Sequence, residues 1–185
     1  VTEQLRRVAP GVLQAQLLRA DATLAAGDHA TALDAYGRAV QLAPDRADVQ
    51  FNAAGVLASQ RQFDKAEAGY RRVLELEPSH ADARQDLAAL YANWGEQLSA
   101  SGQPAEALAR FEQAIELRPD WSQVVYAAAN SAQQAKDVAA AIRLYERYLE
   151  LADDVRPSGT VLWSGSSPEA LAGTSHYQLA MLLWQ

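Results

Sequence analysis

Histidines and paired carboxylates are where a chain like this one could bind a metal or move a proton near neutral pH. His29, His80 and His176 are scattered between a turn, a helix start and the last helical segment. None has the i, i+4 partner that would turn two ligands toward one metal ion. Asp153 and Asp154 are adjacent, but they border a Pro/Gly/Ser-rich stretch and read as a hydrophilic helix end rather than a general acid and base. There is no phosphate-cradling glycine loop and no nucleophile elbow. The chain has no cysteine, which excludes disulfides, thiolate metal sites and cysteine nucleophiles. The expectation is a chain that is not an enzyme, with no catalytic residue, no metal and no cofactor.

Charge narrows the partners. A net charge of −7 is the wrong sign for phosphate neutralisation, and the densest basic spots, Arg6–Arg7 and Arg71–Arg72, read as solvated helix faces. Nucleic acid and anionic membrane surfaces are therefore disfavoured. No apolar run approaches the roughly 18 to 20 residues of a membrane span, and VTEQLRRVAP lacks a signal-peptide core. The first residue is valine rather than methionine and the last lie in a helical pattern, so the expectation is an excerpt of a longer protein. No compartment is identified; soluble and cytoplasmic is the default.

The elements come from a repeat. Ala32, Ala66, Ala107 and Ala141 open the segments ALDAY, AEAGY, ALARF and AIRLY. The step is 34 residues from Ala32 to Ala66 and from Ala107 to Ala141, but 41 from Ala66 to Ala107. Fixed periods in this range mean stacked supersecondary units. Each unit reads as two helices joined by a tight turn, at Gly27, Arg61, Gly102 and Lys136. In the second helix an aromatic follows the alanine by four, Tyr36, Tyr70, Phe111 and Tyr145, and Ala39, Val73, Ala114 and Tyr148 follow three later. These spacings put all three on one face. Pro44, Pro78 and Pro119 end second helices, and Asp45, Ser79 and Asp120 are expected to cap the helices that follow.

These residues resemble the tetratricopeptide repeat, a 34-residue helix pair with small residues at set positions, here Ala20, Ala54, Gly95 and Ala129. The implied fold is all-α, a right-handed solenoid of antiparallel helix pairs. The repeats would span about 13–46, 47–80, 81–121 with seven extra residues, and 122–155. A loop over 152–167 and a terminal helix over 168–184 would follow as half a fifth unit, with Leu179, Ala180 and Leu183 as its packing positions. The chain is one such domain in this reading.

The seven extra residues carry no turn signal. HADARQDLAALYANWGEQLSAS reads as one helix over about 80–100, roughly 30 Å long at 1.5 Å per residue. It carries the packing motif twice, as Leu87, Ala88, Tyr91 and as Trp94, Gly95, Leu98. Either the first set packs on the second unit and the other on its own partner helix, which would step the stack sideways by about 10 Å, or the helix is merely overlong and its overhang is solvated.

In the family, first helices line a concave groove that holds a peptide. Carried over, the resemblance points to Asp21, Asp48, Phe51, Asn52, Ser59, Asn93, Glu96, Tyr126, Asn130 and Gln133. Asn52 and Asn93 fall on the position whose amide bonds a ligand's main chain. Chaperone-binding members grip a C-terminal carboxylate with Lys and Arg; here those places hold Leu17, Asp21, Asn52, Ala89 and Asn93. Without the cations an acidic tail is left unpaired. The expectation is a protein-interaction scaffold or adaptor taking a neutral or basic peptide. The alternatives are a regulatory or substrate-docking region of a larger enzyme such as a transferase, and a self-assembling scaffold joined through the C-terminal helix. Trp163, in the long loop, either plugs the end of the stack or contacts a partner.

Overall fold

The computed structural model describes residues 3–154 and 168–183, all but the connecting turns in helix. The helices are α1 (Glu3–Ala25), α2 (His29–Leu42), α3 (Ala47–Ser59), α4 (Phe63–Leu76), α5 (Ala81–Ala100), α6 (Pro104–Leu117), α7 (Ser122–Gln134), α8 (Val138–Asp154) and α9 (Pro168–Leu183). The fold is all-α and no strand occurs among the described residues. The chain forms two compact units, Val1–Leu90 and Tyr91–Gln185, whose boundary falls inside α5.

The repeat motif is the core of both units. Ala32, Ala66, Ala107 and Ala141 expose no surface, and Tyr36, Tyr70, Phe111 and Tyr145 are buried beside them. In the first unit Ala20, Ala35, Tyr36, Ala53 and Val56 form one cluster, with Leu17, Leu24, Leu33 and Val40 against it. A second cluster joins Leu13, Ala39 and Val49. Alanine contributes little transfer energy of its own; it lets helix axes approach until each ring fills the remaining gap, which stabilises by about 1.5–3 kcal/mol per large buried side chain.

The four turns share one geometry. Gly27, Arg61, Gly102 and Lys136 all have positive φ, at 78°, 55°, 73° and 62°. In each turn the next backbone N–H reaches five residues back: Asp28 to Thr23, Gln62 to Leu57, Gln103 to Leu98 and Asp137 to Ala132, at 2.8–3.0 Å. This is the six-to-one bond that closes a helix through a left-handed residue. The arginine and lysine make the same turn without glycine's conformational freedom.

Capping differs from the expectation. The caps of α3 and α7 are Arg46 and Trp121, and neither makes a side-chain cap bond. Asp45, Ser79 and Asp120 instead occupy turns closed by backbone bonds, from Arg46 to Ala43, from His80 to Glu77 and from Trp121 to Arg118. The turn moves the helix start past each of them. Its proline carbonyl is bonded by a later side chain, with Gln50 reaching Pro44, Arg84 reaching Pro78 and Arg147 reaching Pro119 at 2.8–3.0 Å. True side-chain caps occur at Asp28 on Thr31, at His80 on Ala83 and at Asp137 on Ala140.

Two further differences concern the ends of the array. α1 begins ten residues before the first repeat and runs through Pro10, which has no N–H to offer the carbonyl four residues back. In α9 the packed residues are Ser175 and Leu182, while Ala180 and Leu183 face solvent. Gln178, half-buried between Ser175 and Leu182, accepts a bond from Gln133 on α7, and the side chain of Leu179 lies outside the described residues.

Candidate functional site

First helices carry the candidate residues in both units. On the first unit, Phe51 lies on α3 with its ring 5.8 Å from Tyr70, edge to face, and 5.1 Å from His80. Asn52, next to it, is exposed. Asp48 pairs with Arg46, whose guanidinium holds the carboxyl below its ordinary range. The Ser59 hydroxyl donates to its own helix, at the Val56 carbonyl, 2.7 Å away. Asp21 on α1 accepts a bond from the Tyr36 hydroxyl at 2.5 Å. Burial first, and Asp21 second, hold that phenol well above its ordinary range.

On the second unit, Tyr145 organises the face. Its hydroxyl donates to Asn130 at 2.7 Å and lies 2.9 Å from the Gln133 carbonyl oxygen, whose amide nitrogen donates to Gln178 at 2.6 Å. Burial pushes the Tyr145 hydroxyl up to about 12, with Tyr126 adding to it. The Tyr126 ring lies edge to face with Tyr145 at 6.3 Å and tilted against Tyr148 at 5.2 Å. Asn93 and Glu96 on α5 are exposed. Trp163 lies outside the described residues.

The candidates therefore divide by chemistry. Asp21, Asn130 and Gln133 bond hydroxyls of their own repeats, and Asp48 and Ser59 are engaged locally. Phe51 and Tyr126 offer part of an aromatic surface set by neighbours. Asn52, Asn93 and Glu96 present polar groups to solvent, where an amide can both donate to and accept from a peptide unit. Sequence reasoning missed the hydroxyl partnerships, although a polar residue 15 before the tyrosine, as with Asp21 and Asn130, was a readable signal. It also missed a cavity of about 550 Å³ in the first unit, lined by Leu33, Gly37, Val40, Leu57, Lys65 and Gly69 from α2, α3 and α4.

Among the described residues no group of three or more His, Asp or Glu could hold a metal ion, and no helix is long and apolar enough to cross a membrane.

Models of the tetratricopeptide repeat match residues 3–47, 45–120 and 98–158. The chain is 42% identical over 83 residues to cellulose synthase operon protein C of Pseudomonas fluorescens, covering 45% of this chain and 6% of that protein. It is 29% identical over 102 residues to photosystem I assembly protein Ycf3 of a Synechococcus strain, covering 54% of this chain and 57% of that one. The chain thus spans less than two thirds of either relative. Among solved structures, MamA from Desulfovibrio magneticus superposes with a TM-score of 0.51 at 14% identity, covering 94% of each chain, a likeness of fold. With the paired helices and their shared turn geometry, these matches show that the chain belongs to the tetratricopeptide repeat family.

Proposed function

We propose that this chain is a non-enzymatic protein-interaction scaffold whose first-helix faces bind a neutral or basic peptide segment. The supporting observation is that Asn52 and Asn93, at one repeat position, are exposed, and that the places where chaperone-binding relatives carry cations hold Leu17, Asp21, Asn52, Ala89 and Asn93. Asp21 is already bonded to Tyr36. A carboxylate-terminated tail finds no cation at these places, while a main chain finds amides to pair with.

The test uses short peptides selected from a random display library on the wild-type chain. Their affinities are then measured for a variant carrying Asn52→Ala, Asn93→Ala and Tyr126→Ala together. A loss of about tenfold or more supports the reading, since interface hot spots cost at least this much. Unchanged affinity places the site elsewhere.

A second reading, self-association, is favoured by the large apolar side chains that α9 leaves in solvent, Tyr177, Met181 and Leu183. Light scattering across concentration tests it; a strict monomer, with and without residues 168–185, removes it.

A further inference from the structure

Second-helix tyrosines in three repeats have hydroxyl groups to satisfy, and they do so in two ways. Tyr36 and Tyr145 each donate to the residue 15 before them, Asp21 and Asn130, within the same helix pair. For Tyr70 the residue 15 before is Gly55, which has no side chain. Its hydroxyl pairs instead with the carboxyl of Asp86, on α5. Every other repeat has a polar side chain where the second has Gly55, namely Asp21, Glu96 and Asn130.

Packing does not call for that glycine. At Gly69 an added Cβ would lie 2.8 Å from the Ala54 Cβ, and at Gly95 it would lie 2.7 Å from the Phe111 ring. At Gly55 it would meet only the Tyr70 hydroxyl, at an ordinary 3.7 Å. Gly37 is as open, but no hydrogen bond is rerouted around it. A glycine inside a helix weakens it relative to alanine, and its common use elsewhere is to let another backbone come close.

Phe51 and Asn52, four and three residues before Gly55, share its face of α3. The result is an open place on the helix, with the Tyr70 hydroxyl beneath it and the Asp86 carboxyl beside that hydroxyl. Burial and the nearby Asp82 hold the Asp86 carboxyl above its ordinary range, against the Tyr70 hydroxyl and His80, and a cation beside it would offset both.

We infer that Gly55 is the point where a bound peptide's main chain comes nearest to the first unit, with Asn52 bonding that main chain and a lysine or arginine of the peptide pairing with Asp86. This rests on the peptide-binding reading and adds to it the place of closest approach and the charge of one ligand residue. Gly55 sets specificity by absence: any side chain there stands in the peptide's path.

The test uses the same library-selected peptides, measured by calorimetry against wild type, Asn52→Ala, Gly55→Ala, Gly55→Leu and Asp86→Asn. The amide oxygen of Asp86→Asn can still accept from Tyr70, so this variant removes charge and keeps the tie. The selected peptides should be enriched in lysine or arginine. Gly55→Leu should weaken them by about tenfold or more while Gly55→Ala melts no lower than wild type, and Asp86→Asn should flatten the salt dependence of binding. Peptides weakened by Asn52→Ala but indifferent to Gly55→Leu and Asp86→Asn overturn the inference and leave the peptide-binding reading standing. Peptides indifferent to Asn52→Ala and to the triple variant overturn that reading itself.

Discussion

Gly95→Ala should destabilise this protein, although alanine is what the other three repeats carry at that position. An alanine Cβ would lie 2.7, 2.8 and 3.0 Å from Cε1, Cδ1 and Cζ of Phe111. Carbon atoms rest about 3.5–4.0 Å apart, so ring and helix must separate by roughly 0.7–1 Å. The ring is rigid and only 2% exposed, with close-packed neighbours behind it. Overpacking of this kind costs about 1–3 kcal/mol. Alanine's helix preference returns about 0.5–1 kcal/mol. The difference of these two ranges centres on a loss of about 1 kcal/mol, or about 2–4 °C in melting temperature for a chain of this size. Gly55→Ala makes the same chemical change with ordinary contact at 3.7 Å, so it should gain about 0.5–1 kcal/mol. Urea unfolding followed by tryptophan fluorescence reads the first change where it occurs, because Trp94 adjoins Gly95; circular dichroism reads the second. Adding Phe111→Leu should recover part of the Gly95→Ala loss, as coupling between touching residues requires. If Gly95→Ala raises the midpoint as Gly55→Ala does, the packing argument is wrong.

Other expectations follow from the turns and hydroxyls. Tyr145→Phe leaves the half-buried Asn130 oxygen without its donor and removes the hydroxyl beside Gln133, and should cost about 1–2 kcal/mol in urea unfolding. Because the Tyr145 phenol is raised to about 12 in the fold against 10 when unfolded, its contribution is complete below pH 10 and is lost as pH rises through 12. Absorbance titration at alkaline pH should show a late-ionising phenol that Tyr145→Phe removes. Lys136→Gly relieves a left-handed residue at φ 62° and should raise the melting midpoint by an amount corresponding to about 1 kcal/mol. Asp137→Ala removes the cap on Ala140 at 3.0 Å and should cost about 1 kcal/mol by the same measurement, whereas Asp120→Ala, at a position the backbone closes by itself, should change little.

The repeat was legible because its signal is physical spacing: alanine and ring at i and i+4 must share a face, and a 34-residue period leaves little else for them to build. The long helix was legible too, since no turn residue interrupts 81–100. The caps were not. Asp45 and Asp120 have capping chemistry, but the proline-led turn uses one more residue than a direct entry into the helix, and only backbone geometry shows that shift. The candidate site divided in the same way. Which residues lie on first helices could be read from the register, but their hydrogen-bond partners could not, because Tyr145 is close to both Asn130 and Gln133 only in three dimensions. The face of α9 was misjudged at Ala180 and Leu183 for the same reason, because which side of that helix meets α8 is a matter of packing and not of register.

Gly95 and Phe111 also couple two positions, so that neither can be exchanged without regard to the other. A chain with alanine at that place could not bring the ring so near, so exchanging the glycine requires the ring to shift with it. With the ring seated, a change to alanine alone meets a contact that a joint change of both residues avoids. A recombination that replaced this first helix with one carrying alanine at that place, as the other three repeats do, while leaving Phe111 where it is, would inherit the clash.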